Sequence, residues 1–170
     1  MKKCVLIGLL FSFCACGGGN SPSPRVNIWD KQNNNQKCEL PFTRNYSGGS
    51  PIVTVSLNGC VISDFIWDTG AEMTSISVLE FLNLQKNGKI SKNDYVRTMR
   101  FGDATGGVSE NEVYRIKEVT IPCKDGKELK CYDVEIAVSE NPEAPMLLGQ
   151  NVMRKLPKCS VNDLNEVIVF

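Results

Sequence analysis

Residues 52–57, Ile-Val-Thr-Val-Ser-Leu, run straight into Asn58-Gly59, and residues 60–67 return as a second extended run. The first run alternates apolar and polar side chains as a half-buried strand must. Asn-Gly is the strongest short hairpin signal, because both residues tolerate positive φ. An antiparallel pair is therefore specified locally, before any distant contact forms. The rest of the chain is written the same way, as short β-type runs divided by turn residues. Leu40-Pro41-Phe42 opens the first run, and residues 47–51, Ser-Gly-Gly-Ser-Pro, form a turn. Residues 95–101 and 113–121 are extended around a Gly-rich centre at 102–107. Asp125-Gly126 turns a further hairpin between 119–123 and 129–138, Met146-Leu147-Leu148-Gly149 is a buried strand ending in glycine, and 167–170 is a last apolar run. Residues 78–87, with Leu79, Leu82 and Leu84 apolar, read as a helix, and 151–156 as a helical turn or two before Pro157. No internal repeat stands at solenoid spacing. The expected class is mostly β with one or two short helices, and 170 residues suffice for one cored domain.

The chain contains no histidine. That excludes Ser-His-Asp and Cys-His catalysis and histidine metal sites, so proton transfer falls to Asp, Glu, Lys, Tyr or Cys. Formal net charge is zero, which argues against a nucleic-acid footprint. No cysteine has CxxC spacing, so no metal or other cofactor is expected. Beyond Cys16 stand Cys38, Cys60, Cys123, Cys131 and Cys159, an odd set that leaves a thiol free or paired to another chain. Cys123 and Cys131 flank the second hairpin turn and either form a disulfide across it or stay as buried thiols. The pairing of the other three is open.

At the N-terminus Lys2 and Lys3 precede a short apolar run, residues 5–13, in the manner of an export signal. A bilayer span needs about 20 apolar residues, more than this run supplies. The run ends in Phe13-Cys14-Ala15-Cys16, which resembles the lipobox of bacterial lipoproteins, although Phe13 replaces the usual Leu. The resemblance implies that Cys16, after the small Ala15, is diacylated and becomes the new N-terminus. Ordinary signal cleavage near Ala15 is the alternative. Residues 17–24, Gly-Gly-Gly-Asn-Ser-Pro-Ser-Pro, are an uncharged tether. The expected organisation is a lipoprotein signal peptide over 1–15, a lipidated cysteine and tether over 16–37, and a folded domain over 38–170. Such a protein would sit on the bacterial cell envelope, held by its lipid to the outer membrane or cell surface.

The second hairpin strand delivers Phe65-Ile66-Trp67-Asp68-Thr69-Gly70-Ala71, with Thr74 and Ile76 following. With the Asn-Gly hairpin before it, the Gly-rich segment 104–107 after it and Leu147-Leu148-Gly149 further on, this pattern resembles the retropepsin-like (retroviral-type) aspartic proteases. The resemblance spans roughly residues 40–170. It implies a closed β-barrel with one catalytic loop per chain and a homodimer that pairs two such loops. Asp68, Thr69 and Gly70 would be the catalytic triplet, Thr69 locking the loops together and Gly70 allowing close backbone approach. Ala71, Thr105, Gly106 and Gly107 would contact a peptide substrate, the last three from a mobile flap. Thr74, Leu147, Leu148 and Gly149 would support the loop from beneath, and the strand at 167–170 would join an intersubunit sheet. Glu72 reads as a surface group, and Trp67 as a bulky residue able to reshape the pocket floor. An aspartic endopeptidase and a non-catalytic, peptide- or partner-binding surface lipoprotein of the same fold both remain open, as does activity that needs a heterologous partner.

Overall fold

Asn58 and Gly59 carry φ of 49° and 63°, the two positive values that a tight hairpin turn requires. The turn joins strands β2 (Ile52–Leu57) and β3 (Val61–Trp67), which pair antiparallel from Ile52 opposite Ile66 to Leu57 opposite Val61. Alternation settles which face is inward: Val53, Val55, Leu57, Val61, Phe65 and Trp67 are all buried. Asn58 also anchors the turn to a distant strand, its side chain accepting from the Glu118 amide at 2.9 Å and donating to the Lys89 carbonyl at 2.7 Å.

The computed structural model describes residues 37–102 and 106–170. The expected signal peptide, Cys16, most of the tether and Thr105 lie outside those residues. The remaining strands are β1 (Glu39–Pro41), β4 (Thr74–Ser77), β5 (Tyr95–Gly102), β6 (Val108–Pro122), β7 (Glu128–Ser139), β8 (Leu147–Leu148), β9 (Ser160–Asn162) and β10 (Val167–Val169). Two α-helices, α1 (Val78–Lys86) and α2 (Gln150–Met153), and one 3₁₀ turn (Lys92–Asp94) complete the order. The fold is mostly β. Its larger sheet runs β2-β3-β8-β4-β7-β6-β5, and a further β2–β6 pairing closes the first six strands into a ring. β5 stays outside the ring, held by the first half of β6.

The β6–β7 ribbon changes its inward face partway. Ile121 and Val119 point inward opposite Leu129 and Cys131, then Ile116 and Tyr114 opposite Val134 and Ile136. The parity switches around Asp133, whose φ of 51° is a left-handed value that Asp tolerates better than most residues. In α1, Ser77 caps the first turn by accepting from the Leu79 amide, and Phe81 and Leu84 face the core. Leu79 and Leu82 are exposed.

Two expectations need correction. The disulfide joins Cys38 to Cys123, not Cys123 to Cys131. Register places Cys131 opposite Val119, inside the ring and away from Cys123, so it remains a buried thiol beside free Cys60 and Cys159. The last strand is also not an open edge. β10 is the middle of a three-stranded sheet, β1-β10-β9, with both its backbone edges occupied by its own chain.

Candidate active site

β3 enters the core apolar and leaves it polar, which puts Asp68 at the rim. Phe65 is fully buried and Trp67 nearly so, whereas Asp68 is half-buried and Thr69 and Gly70 are exposed. Consecutive amides fix this exit. Ile66 donates to the Met146 carbonyl at 2.9 Å, Trp67 to Pro51 at 2.8 Å and Asp68 to Leu148 at 3.1 Å. The chain then folds over its own carboxylate, with the Gly70 amide donating to Asp68 Oδ1 at 2.8 Å. A Cβ on Gly70 would stand 3.2 Å from that oxygen, tighter than an ordinary contact. Asp68 Oδ2 has no hydrogen-bond partner among the described residues, and the side chain lines a cleft.

Beneath the loop a buried polar network replaces apolar packing. Thr74 is fully buried, and its hydroxyl accepts from the Gly149 amide at 3.1 Å while donating to Asn151 Oδ1 at 2.9 Å. The same Oδ1 takes the Thr74 amide at 2.8 Å, and Asn151 Nδ2 donates to the Glu135 carbonyl at 2.7 Å. The α2 N-terminus then spends its free amides on the loop, Gln150 donating to Ala71 at 2.9 Å and Asn151 to Glu72 at 3.1 Å. Gln150 Nε2 reaches the Thr69 carbonyl at 2.9 Å. Gly149 has no substitute here, since a Cβ would lie 2.5 Å from the Met73 carbonyl carbon. Thr74, Leu147, Leu148 and Gly149, the residues that the resemblance named as the loop's support, lie in β4, β8 and the residue that caps α2. Asn151 and Gln150 escaped sequence reasoning; the available signal was two amides directly after a buried strand that ends in glycine.

The cleft, about 690 Å³, opens between the loop and the β5–β6 hairpin. Asp68, Gly70, Ala71, Glu72 and Met73 form one wall and Arg100, Phe101 and Gly102 the other, with Ser75, Ala137 and Leu147 between. Ala71, expected to contact substrate, lines this cleft. Gly106, with φ of 88°, and Gly107 stand at the hairpin tip. Arg100 is paired with Glu110 across the hairpin at 2.6 Å. Glu72, read as a surface group, is exposed and also lines the cleft wall. Trp67 is not part of the cleft; its ring is held edge-on against Phe170 at 6.2 Å. Among the described residues no three His, Cys, Asp or Glu side chains are grouped to hold a metal ion.

No protein-family model matches the chain, and no curated protein matches it. Among solved structures it is similar to a retropepsin-like aspartic protease from Rickettsia conorii. The TM-score is 0.53 at 18% sequence identity, over 79% of this chain and 90% of that one. At that identity the likeness is one of fold.

Proposed function

We propose that the chain is an aspartic endopeptidase whose working unit is a homodimer, each copy contributing one Asp68. The observation that carries this reading is the loop itself. Asp68 lies at a core rim with one oxygen held by the Gly70 amide and the other without a partner among the described residues, beside a cleft roomy enough for an extended peptide. Two such carboxylates brought together about a dimer axis cannot both stay ionised, so the pair shares one proton. The ionised member removes a proton from a water whose oxygen bonds to the scissile carbonyl carbon, while the protonated member donates to the carbonyl oxygen. Collapse of the tetrahedral intermediate breaks the C–N bond, and the amine leaves with the proton the water gave up. Water ends as hydroxyl on the new acid and hydrogen on the new amine. β5 ends the large sheet, so its outer edge can pair with substrate main chain. In this proposal Cys16 carries the lipid that holds the enzyme to the envelope, and Cys16→Ser should leave the membrane fraction.

Asp68→Asn tests the mechanism: it should fold and hydrolyse nothing, and undiminished turnover would remove Asp68 from the chemistry. Because each chain supplies one such loop, turnover per chain should also rise with protein concentration until dimers saturate. A second reading, a non-catalytic peptide-binding module, draws on one observation: both edges of β10 are filled by the same chain. A strict monomer in sedimentation, at every concentration and without hydrolysis, would favour it.

A further inference from the structure

Glu72 lines the same wall as Asp68, and its place is fixed from behind, its carbonyl taking the Asn151 amide at 3.1 Å. Its side chain is exposed and forms no ion pair or hydrogen bond among the described residues. On the opposite wall Arg100 is already answered by Glu110 at 2.6 Å within its own hairpin. The other lining residues among those described are uncharged. Among the described residues the cleft therefore holds two unanswered carboxylates, and the chemistry needs only Asp68. A cationic side chain lying beside Glu72 would gain from that charge in a site that a bound peptide partly dries.

Resting on the protease reading, we propose that Glu72 is a specificity-determining residue and that the preferred substrates are peptides with a lysine or arginine near the scissile bond. The loop sets how near. Glu72 is four residue steps beyond Asp68, so their α-carbons are at most about 14 Å apart, and an extended peptide advances about 3.3 Å per residue. The basic residue thus falls within about four positions of the cut.

The test profiles cleavage of a synthetic library of mixed, unstructured peptides by mass spectrometry, comparing wild type, Glu72→Gln and Glu72→Lys, with Asp68→Asn as the blank. Wild type should enrich Lys and Arg at one such position by roughly fivefold, the factor that a partly exposed ion pair supplies. The enrichment should vanish in Glu72→Gln and turn toward Asp and Glu in Glu72→Lys. Cleavage without basic enrichment, or enrichment that survives Glu72→Gln, overturns the inference while leaving the protease reading intact. No cleavage above the blank overturns the protease reading and this inference with it. Binding of matched basic and neutral peptides to Asp68→Asn gives a readout without turnover: a several-fold preference for the basic member is expected, and equal affinities would sink the specificity role.

Discussion

Thr74 and Asn151, 77 residues apart in the chain, meet through one amide oxygen that accepts both the backbone N–H and the hydroxyl of Thr74, at 2.8 and 2.9 Å. That junction joins the strand leaving the Asp68 loop to the helix that follows β8. It explains why a loop with an exposed Thr69 and Gly70 keeps a defined shape: its carbonyls at Thr69, Ala71 and Glu72 all end on donors from Gln150 and Asn151.

Thr74→Val keeps the shape and removes the hydroxyl. The Gly149 amide then loses its acceptor in a buried place, and Asn151 Oδ1 loses one of its two donors. Leaving such a group unsatisfied costs about 1–3 kcal/mol. The unfolding free energy should fall by that amount, read as a lower urea midpoint at unchanged slope, and hydrolysis should fall as the loop loosens. An unchanged midpoint would mean that water replaces the hydroxyl without loss.

Gly149→Ala tests the same junction by crowding. The added methyl would stand 2.5 Å from the Met73 carbonyl carbon and 2.8 Å from the Thr74 amide nitrogen. Both obstacles are backbone, so strand and helix must part, at a cost of about 3 kcal/mol. Thermal unfolding of the variant should start well below wild type. A shift of under a degree would show that the β8–α2 connection is softer than its contacts indicate.

What could be read in advance divides by the range of the forces. The β2–β3 hairpin was legible because alternation and Asn58-Gly59 act within a few residues. The Asp68 loop and Gly149 were singled out through the family resemblance, and the crowding at Gly149 gives one physical reason why that position admits so few residue types. β4 was not singled out: Thr74-Ser75-Ile76-Ser77 looks polar, yet it is buried because β7 and β8 pair with it from both sides. The Cys38–Cys123 bond was equally hidden, since it depends on β1 joining β10 at the far end of the chain. That the exposed Glu72 also lines a cleft was hidden because the wall facing it, Arg100 to Gly102, is supplied by a distant hairpin.

The disulfide closes a separation of 85 residues and ties the start of β1 to the end of β6. By loop-closure entropy a link over so long a stretch stabilises by about 4.6 kcal/mol. Cys38→Ser with Cys123→Ser should lower the unfolding free energy by about that much. Reductant should bring wild type down toward the variant and leave the variant unmoved. Coincident melting of oxidised and reduced wild type would show that β1 is held by its ladder to β10 alone.

The buried thiol of Cys131 makes stability depend on alkaline pH with a definite sign. Burial pushes its pKa from an ordinary 9.0 up to about 11, against the opposing influence of the Lys155 charge. Between those values the unfolded chain has released a proton that the folded chain still holds, so unfolding is increasingly favoured as pH rises. Stability is therefore unaffected by this group below about pH 9, falls from there, and levels once the folded thiol ionises near pH 11. At 1.36 kcal/mol for each tenfold change in proton affinity, the loss approaches about 3 kcal/mol. Tyr114 acts in the same direction, since burial first and its hydrogen bond to Glu112 second push it up to about 12. Its part of the loss begins a pH unit or so higher, above the ordinary tyrosine value of 10.0. Cys131→Ala separates the two. The variant starts lower at pH 8 because a core side chain has shrunk, but its urea midpoint should decline less steeply between pH 9 and 10 than that of wild type. Parallel declines would mean that the Cys131 thiol meets water in the folded protein, and the ring of strands would then be open where its register says it is closed.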